Sequence, residues 1–278
     1  MNPQPATEQH LTPQVLAWMA EQAAQGHSQE AIFASMLAAG WTREAATRAL
    51  QLTPEDIAGL LRVPSLALPV SGRMVDAGDK WVEVLQLFQS PDVVVFANLL
   101  SASECEALIE AARPRLSRSL TVDTKTGGEE LNADRTSEGM FFARTENDIV
   151  HRVEMRIAKV LGWPRENGEG LQVLRYGPGA EYKPHYDYFD PAEPGTPEIL
   201  KRGGQRVATL IMYLNQPEEG GATAFPDLGL KVAPKPGQAV FFSYAQPHPV
   251  SRSLHGGEPV LAGEKWIATK WLREREFL

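Results

Sequence analysis

The stretch Gly179-Ala-Glu-Tyr-Lys-Pro-His185-Tyr-Asp187-Tyr-Phe189 sets an imidazole and a carboxylate two residues apart. Side chains at i and i+2 of a strand leave the same face, so this spacing lets both grip one ion. Two imidazoles and one carboxylate hold one face of an octahedral Fe(II) and leave the opposite face open to other ligands. The third ligand must then come from a distant strand. His248 sits in Gln246-Pro-His-Pro249, where prolines on both sides mark a loop. His255, in Ser253-Leu-His-Gly-Gly257, leads into another apolar strand and is the expected partner of His185 and Asp187. His10, His27 and His151 fall in tail or helical segments and need no such role.

Ten positions beyond His255 stands Lys265, in Gly263-Glu-Lys-Trp-Ile-Ala-Thr-Lys-Trp271. The strand is otherwise half apolar. An ammonium directed into a barrel requires an anion, because an unpaired buried charge is very costly. A dicarboxylate chelating iron at one end would present its second carboxylate there. The alternative is an outward, solvated lysine, and Lys270 on the same strand reads that way.

Outward from this region the chain divides by pattern. From about residue 12 to 62 it reads as short helices. Thr12-Pro13, Ser28, Thr42 and Thr53-Pro-Glu-Asp56 give start signals, while Gly26 and Gly40 give stops. Residues 63–80, with Pro64, Pro69, Gly72 and Gly78, read as a linker. From Trp81 to residue 278 short apolar runs predict strands, among them Val93–Phe96, Leu171–Tyr176, Val207–Leu214, Gln238–Ser243 and Lys265–Leu272. Two helices are predicted from Ser101 to about Arg113 and from about Asn147 to Leu161, the second on the spacing of Ile149, Val153, Ile157 and Val160. The fold class is therefore α+β, mainly β in the larger part, with a small all-α module before it.

Composition bounds the partners. With 278 residues, 43% hydrophobic and 22% charged, the chain buries a real core and is neither disordered nor fibrous. A net charge of −8 disfavours non-specific binding to nucleic acid. The single Cys105 excludes an intramolecular disulfide and suits a reducing compartment. No secretory signal and no run long enough to span a bilayer is apparent, so the expected setting is soluble and cytoplasmic.

Several motifs then carry a resemblance, in order along the chain. Glu169–Tyr176 precedes Gly179–Phe189, and Arg206-Val-Ala-Thr209 through Tyr213-Leu-Asn215 follows. Glu219-Gly-Gly-Ala-Thr223-Ala-Phe-Pro226, Gly237–Phe242, and Leu254–Val260 through Gly263-Glu-Lys265-Trp complete the set. Together they resemble the prolyl 4-hydroxylase branch of the Fe(II)/2-oxoglutarate-dependent dioxygenases, from about Val93 onward. The resemblance implies a double-stranded β-helix, or jelly-roll, cupin-like core. It implies Fe(II) on His185, Asp187 and His255, with 2-oxoglutarate and O2 as cosubstrates and L-ascorbic acid as an auxiliary cofactor. It implies that Lys265 binds the distal carboxylate of 2-oxoglutarate, helped by Tyr176 and Thr209. Tyr182, Glu169 and Trp271 match positions on the substrate side. Arg135, in Arg135-Thr-Ser-Glu-Gly139, matches a segment that shapes a mobile substrate loop, and the polar run Thr121–Asn132 before it fits a lid. Glu258 departs from the pattern, since many relatives carry cysteine there.

What the resemblance implies for function is hydroxylation of an unactivated C–H bond, foremost C4 of proline in a peptide or protein. A free amino acid or other small molecule is the alternative substrate, and a non-catalytic cupin-like binding protein is the alternative class. The segment around Met36–Trp41, with Ala45, Ala49 and Leu50, resembles a ubiquitin-associated-type three-helix module, which implies a protein partner. A helical extension packing on the main domain or on a second copy is the plainer reading.

Overall fold

The computed structural model describes residues 18–19, 22, 25–51, 73–88, 92–119, 121–122, 125–130, 134–244, 247 and 249–278. The chain falls into two compact units, 1–62 and 63–278.

In the first unit the helix Gln29–Ala38 is capped by Ser28, whose hydroxyl accepts from the Ala31 amide at 3.2 Å. Thr42 caps the helix Arg43–Leu50 in the same way through Ala45. Both caps satisfy amides that a first turn leaves without partners. Ile32, Phe33, Met36, Leu37 and Ala46 form the core between them, with Trp18, Trp41 and Leu50 against it. The helices expected to open at Thr12 and Thr53 lie outside the described residues, apart from helical positions 18, 19 and 22.

The second unit is mainly β, with few helices. Nine strands make a major sheet in the order Met74–Asp76, Trp81–Phe88, Val93–Ala97, Ala239–Ser243, Arg206–Tyr213, Lys265–Arg273, Leu171–Tyr176, Glu138–Phe142 and Ser117–Arg118. A minor sheet runs Leu230–Val232, Thr223–Phe225, His255–Gly257, Tyr182–His185. Every pairing in these two sheets is antiparallel. One correction follows for the expected linker 63–80. Met74–Asp76 is a strand paired to Trp81–Glu83, so the sheet already begins inside that span.

The major sheet is covered on both faces, which explains the unbroken apolar run Val93–Phe96. Val93 and Val95 join Tyr213, Phe225, Val240 and Phe242 in a core shared with the minor sheet. Val94 and Phe96 turn to the opposite side, where the helices Ala102–Ala112 and Asp148–Leu161 contribute Leu108, Val153 and Ile157. The first helix starts at a full capping box, Ser101 with Glu104, and the second at Asn147. The apolar stripe of the second faces the sheet, as its spacing predicts.

Candidate active site

His185 closes the strand Tyr182–His185, but Asp187 lies in the bend after it, not on the strand as the two-residue spacing implied. The bend leaves its carboxylate within reach of the His185 ring nitrogen. His255 opens its own strand and is the direct cross-strand partner of His185. Opposed residues in an antiparallel pair have their side chains side by side on one face, and the two rings are 4.5 Å apart. Gly256 permits this close approach, since a Cβ there would lie 2.9 Å from the Tyr182 carbonyl oxygen.

The three donors converge. His185 Nε2 is 3.5 Å from Asp187 Oδ1, and His255 Nε2 is 3.5 Å from Asp187 Oδ2. All three ligand atoms lie within 4.8 Å of one another. Each histidine is held by its other nitrogen, His185 Nδ1 at 2.8 Å from the Lys183 carbonyl and His255 Nδ1 at 3.0 Å from that of Ser253. A carbonyl only accepts, so Nδ1 carries the proton and the Nε2 lone pair faces the site. Burial would raise the Asp187 pKa, but the two imidazoles and Arg206 hold it well below the usual carboxylate range. Burial pushes His255 down to about 4, which keeps it neutral. A carboxylate with two imidazoles is the donor set a ferrous ion takes.

Around these ligands the structure supplies contacts that no short motif announces. Thr209 donates to Asp187 Oδ2 at 2.6 Å and lies 2.9 Å from the Tyr244 hydroxyl. Thr209 is thereby placed against the Asp187 carboxylate, which it orients. Tyr182 stacks on His185 with ring centroids 3.6 Å apart.

Lys265 is 2% exposed and lines the same cavity as the three ligands. Its Nζ makes no hydrogen bond or ion pair with a described residue. It rests 5.5 Å and 5.9 Å from the ring centres of Tyr176 and Tyr213. Burial pushes its pKa down to about 8, against the opposing charge of Glu258. Tyr176 is its cross-strand partner. Thr223, which sequence reading missed, also lines this cavity and accepts from the Tyr213 hydroxyl at 2.8 Å.

A larger cleft of about 970 Å³ opens outside, with His185 and Asp187 on its wall. Tyr182, Glu169, Trp271 and Arg135 all line it. Glu169 is occupied, clamped by Arg206 at 2.6 Å and Arg273 at 2.7 Å. Trp271 carries the Arg206 guanidinium 4.0 Å from its ring centre, and its buried Nε1 has no hydrogen-bond partner among the described residues. Arg135 donates to Gln172 at 2.9 Å and lies over the Tyr182 ring. Lys270 is not solvated as its pattern suggested. It is 2% exposed and ion-paired to Glu154 at 2.6 Å, on the helix side of the sheet. His248 lies outside the described residues.

Two facing antiparallel sheets that carry a two-histidine, one-carboxylate centre beside a buried ammonium define a non-haem Fe(II), 2-oxoglutarate-dependent oxygenase. Residues 171–273 match the model of the 2OG-Fe(II) oxygenase superfamily. The chain is 42% identical over 229 residues to prolyl 4-hydroxylase 5 of Arabidopsis thaliana, covering 74% of this chain and 76% of that protein. It is 44% identical over 226 residues to prolyl 4-hydroxylase 1 of the same plant, covering 72% and 77%. Among solved structures, a viral collagen prolyl hydroxylase from Paramecium Bursaria Chlorella virus-1, in complex with 2OG, aligns with TM-score 0.50 and 34% identity. That alignment covers 65% of this chain and 95% of the viral one. The chain belongs to the prolyl 4-hydroxylase family of 2OG-Fe(II) oxygenases and is a 2-oxoglutarate-dependent dioxygenase that uses Fe(II), 2-oxoglutarate and O2.

Proposed function

We propose that this enzyme hydroxylates C4 of a proline residue within a peptide or protein. The single observation that carries this reading is a cavity joining the His185–Asp187–His255 donors to the partnerless Lys265 ammonium, beside a cleft far larger than one amino acid fills. The relatives named above are prolyl 4-hydroxylases, which supports the substrate.

Bound at the three donors, Fe(II) supplies the O2 and 2-oxoglutarate chemistry that oxidises an unactivated C–H bond. Lys265 binds the far carboxylate of 2-oxoglutarate through a charge-assisted hydrogen bond, with the Tyr176 ring beneath it. Thr209 fixes Asp187, and Tyr182 fixes the plane of His185. Tyr182 and Trp271 screen the reacting bond from water, and Arg135 and the Glu169–Arg206 pair hold that aromatic wall in place. A free amino acid is the weaker reading, because it would leave most of the cleft empty.

The test is incubation of proline-containing peptides with Fe(II), 2-oxoglutarate and ascorbate, following succinate release and the gain of one oxygen by mass spectrometry. Hydroxylated proline and loss of turnover in His255→Ala are expected. Turnover only on free amino acids overturns the substrate. Ascorbate dependence belongs to the same proposal, as do the double-stranded β-helix description of the larger unit and a protein partner for the helical unit at the N-terminus. A reducing, cytoplasmic setting is proposed on the single buried Cys105. No helix among the described residues is long and apolar enough to cross a membrane.

A further inference from the structure

Phe141 is a large aromatic side chain left 48% exposed on a strand whose neighbours are deeply buried. Alternation explains where it points. Met140 and Phe142 belong to the core beneath the helices, so Phe141 faces the other side of the major sheet. Its cross-strand partner is Gln172, and Gln172 in turn pairs with Thr269. That face also bears Leu174, Tyr176 and Lys265, which are the walls of the inner cavity. Phe141 lies beyond them, in the lining of the outer cleft, with its ring centre 6.3 Å from that of Trp271.

We propose that Phe141 is a specificity-determining residue, forming with Trp271 an apolar ledge for the side chain next to the target proline. This rests on the reading of the substrate as a peptide. The chemistry of the occupant follows from what surrounds the ledge. Arg115 and Glu146 flank it, but they pair at 2.5 Å. Arg115 also donates to the Phe141 carbonyl at 3.0 Å, and Glu146 accepts from the Ala143 amide at 2.8 Å. This corner therefore presents neither net charge nor an idle polar group to a charged neighbour. An exposed aromatic surface in a concave site gains by covering itself with apolar area. The residue beside the proline is thus aliphatic or aromatic.

The test is a set of short peptides sharing one proline, with leucine, glycine, aspartate or lysine beside it on either side. Steady-state kinetics run with the full chain, and equilibrium affinity is measured with Mn(II) in place of iron. The leucine peptide is expected to have the lowest KM and Kd. Phe141→Ala raises both about tenfold for leucine and hardly at all for glycine, leaving kcat and the KM for 2-oxoglutarate unchanged. Phe141→Leu restores most of the preference. Equal KM values across the four peptides, or an equal loss for leucine and glycine in Phe141→Ala, overturn the ledge while leaving prolyl hydroxylation intact. Failure to hydroxylate any of the peptides overturns the substrate reading itself.

Discussion

Lys265 holds its charge at a cost to the fold. Burial lowers its pKa from 10.5 to about 8, a difference on the order of 3 kcal/mol against the folded, ligand-free state. Because the folded pKa is depressed below the unfolded one, the unfolded chain binds more protons between about pH 8 and 10.5, and stability from this group rises across that window. A bound dicarboxylate removes the conflict by supplying the missing counter-charge. Lys265→Met is accordingly expected to raise the Tm of the ligand-free protein while abolishing 2-oxoglutarate binding. An unchanged or lower Tm by calorimetry would count against the unpaired ammonium. The KM for 2-oxoglutarate should climb as pH passes about 8, where free Lys265 begins to lose its proton. A flat profile across that range would be the contrary result. Thr209→Val removes a side-chain donor to Asp187 Oδ2 and should weaken Fe(II) or Mn(II) binding roughly 10–100-fold in a metal titration.

Among the elements, the strand Lys265–Arg273 joins two different interiors. Lys265 faces the inner cavity, whereas Lys270 reaches the helix side and pairs with Glu154 of Asp148–Leu161. Breaking a buried pair strands the other charge, so Lys270→Ala should destabilise by about 3–5 kcal/mol in urea unfolding. The double variant Lys270→Met, Glu154→Leu should recover most of that loss. A single variant within about 1 kcal/mol of the parent would show the pair to be solvated. The sequence made the strands legible because sheets covered on both faces leave long apolar runs such as Val93–Phe96. It made the helices legible through Ser101 and Asn147 as caps. The ligand trio was legible through the two-residue spacing of His185 and Asp187 and the ordered motifs around them, since a His-x-Asp pair alone is common by chance. What stayed hidden depends on register between distant strands. Nothing local distinguishes Lys270 from a surface lysine until Glu154, over a hundred residues upstream, is packed beside it. Tyr244 and Thr223 were missed for the same reason, and Asp187 left its strand because a bend, not the ladder, aims its carboxylate.

For the whole molecule, the two compact units imply separable behaviour. Residues 63–278 produced alone should fold and hydroxylate a short peptide at close to the parental rate. Loss of cooperative unfolding in that shortened chain would instead make the first 62 residues part of the larger unit's fold. Metal should stabilise the protein as a whole, because the three donors come together only in the native state. Saturating Mn(II) at a hundred times its Kd adds about 2.7 kcal/mol, read as a rise in Tm that a chelator reverses.

The direct pairing of His185 with His255 carries a consequence for how the enzyme acquires its iron. The two imidazoles are seventy residues apart in the chain, and a slip of one position between their strands would turn one of them away from the centre. While the protein is being made, the centre therefore cannot form until His255 has emerged from the ribosome and its strand has docked. Iron loading therefore follows synthesis of His255, and of the three ligands a nascent chain stalled before it carries only His185 and Asp187.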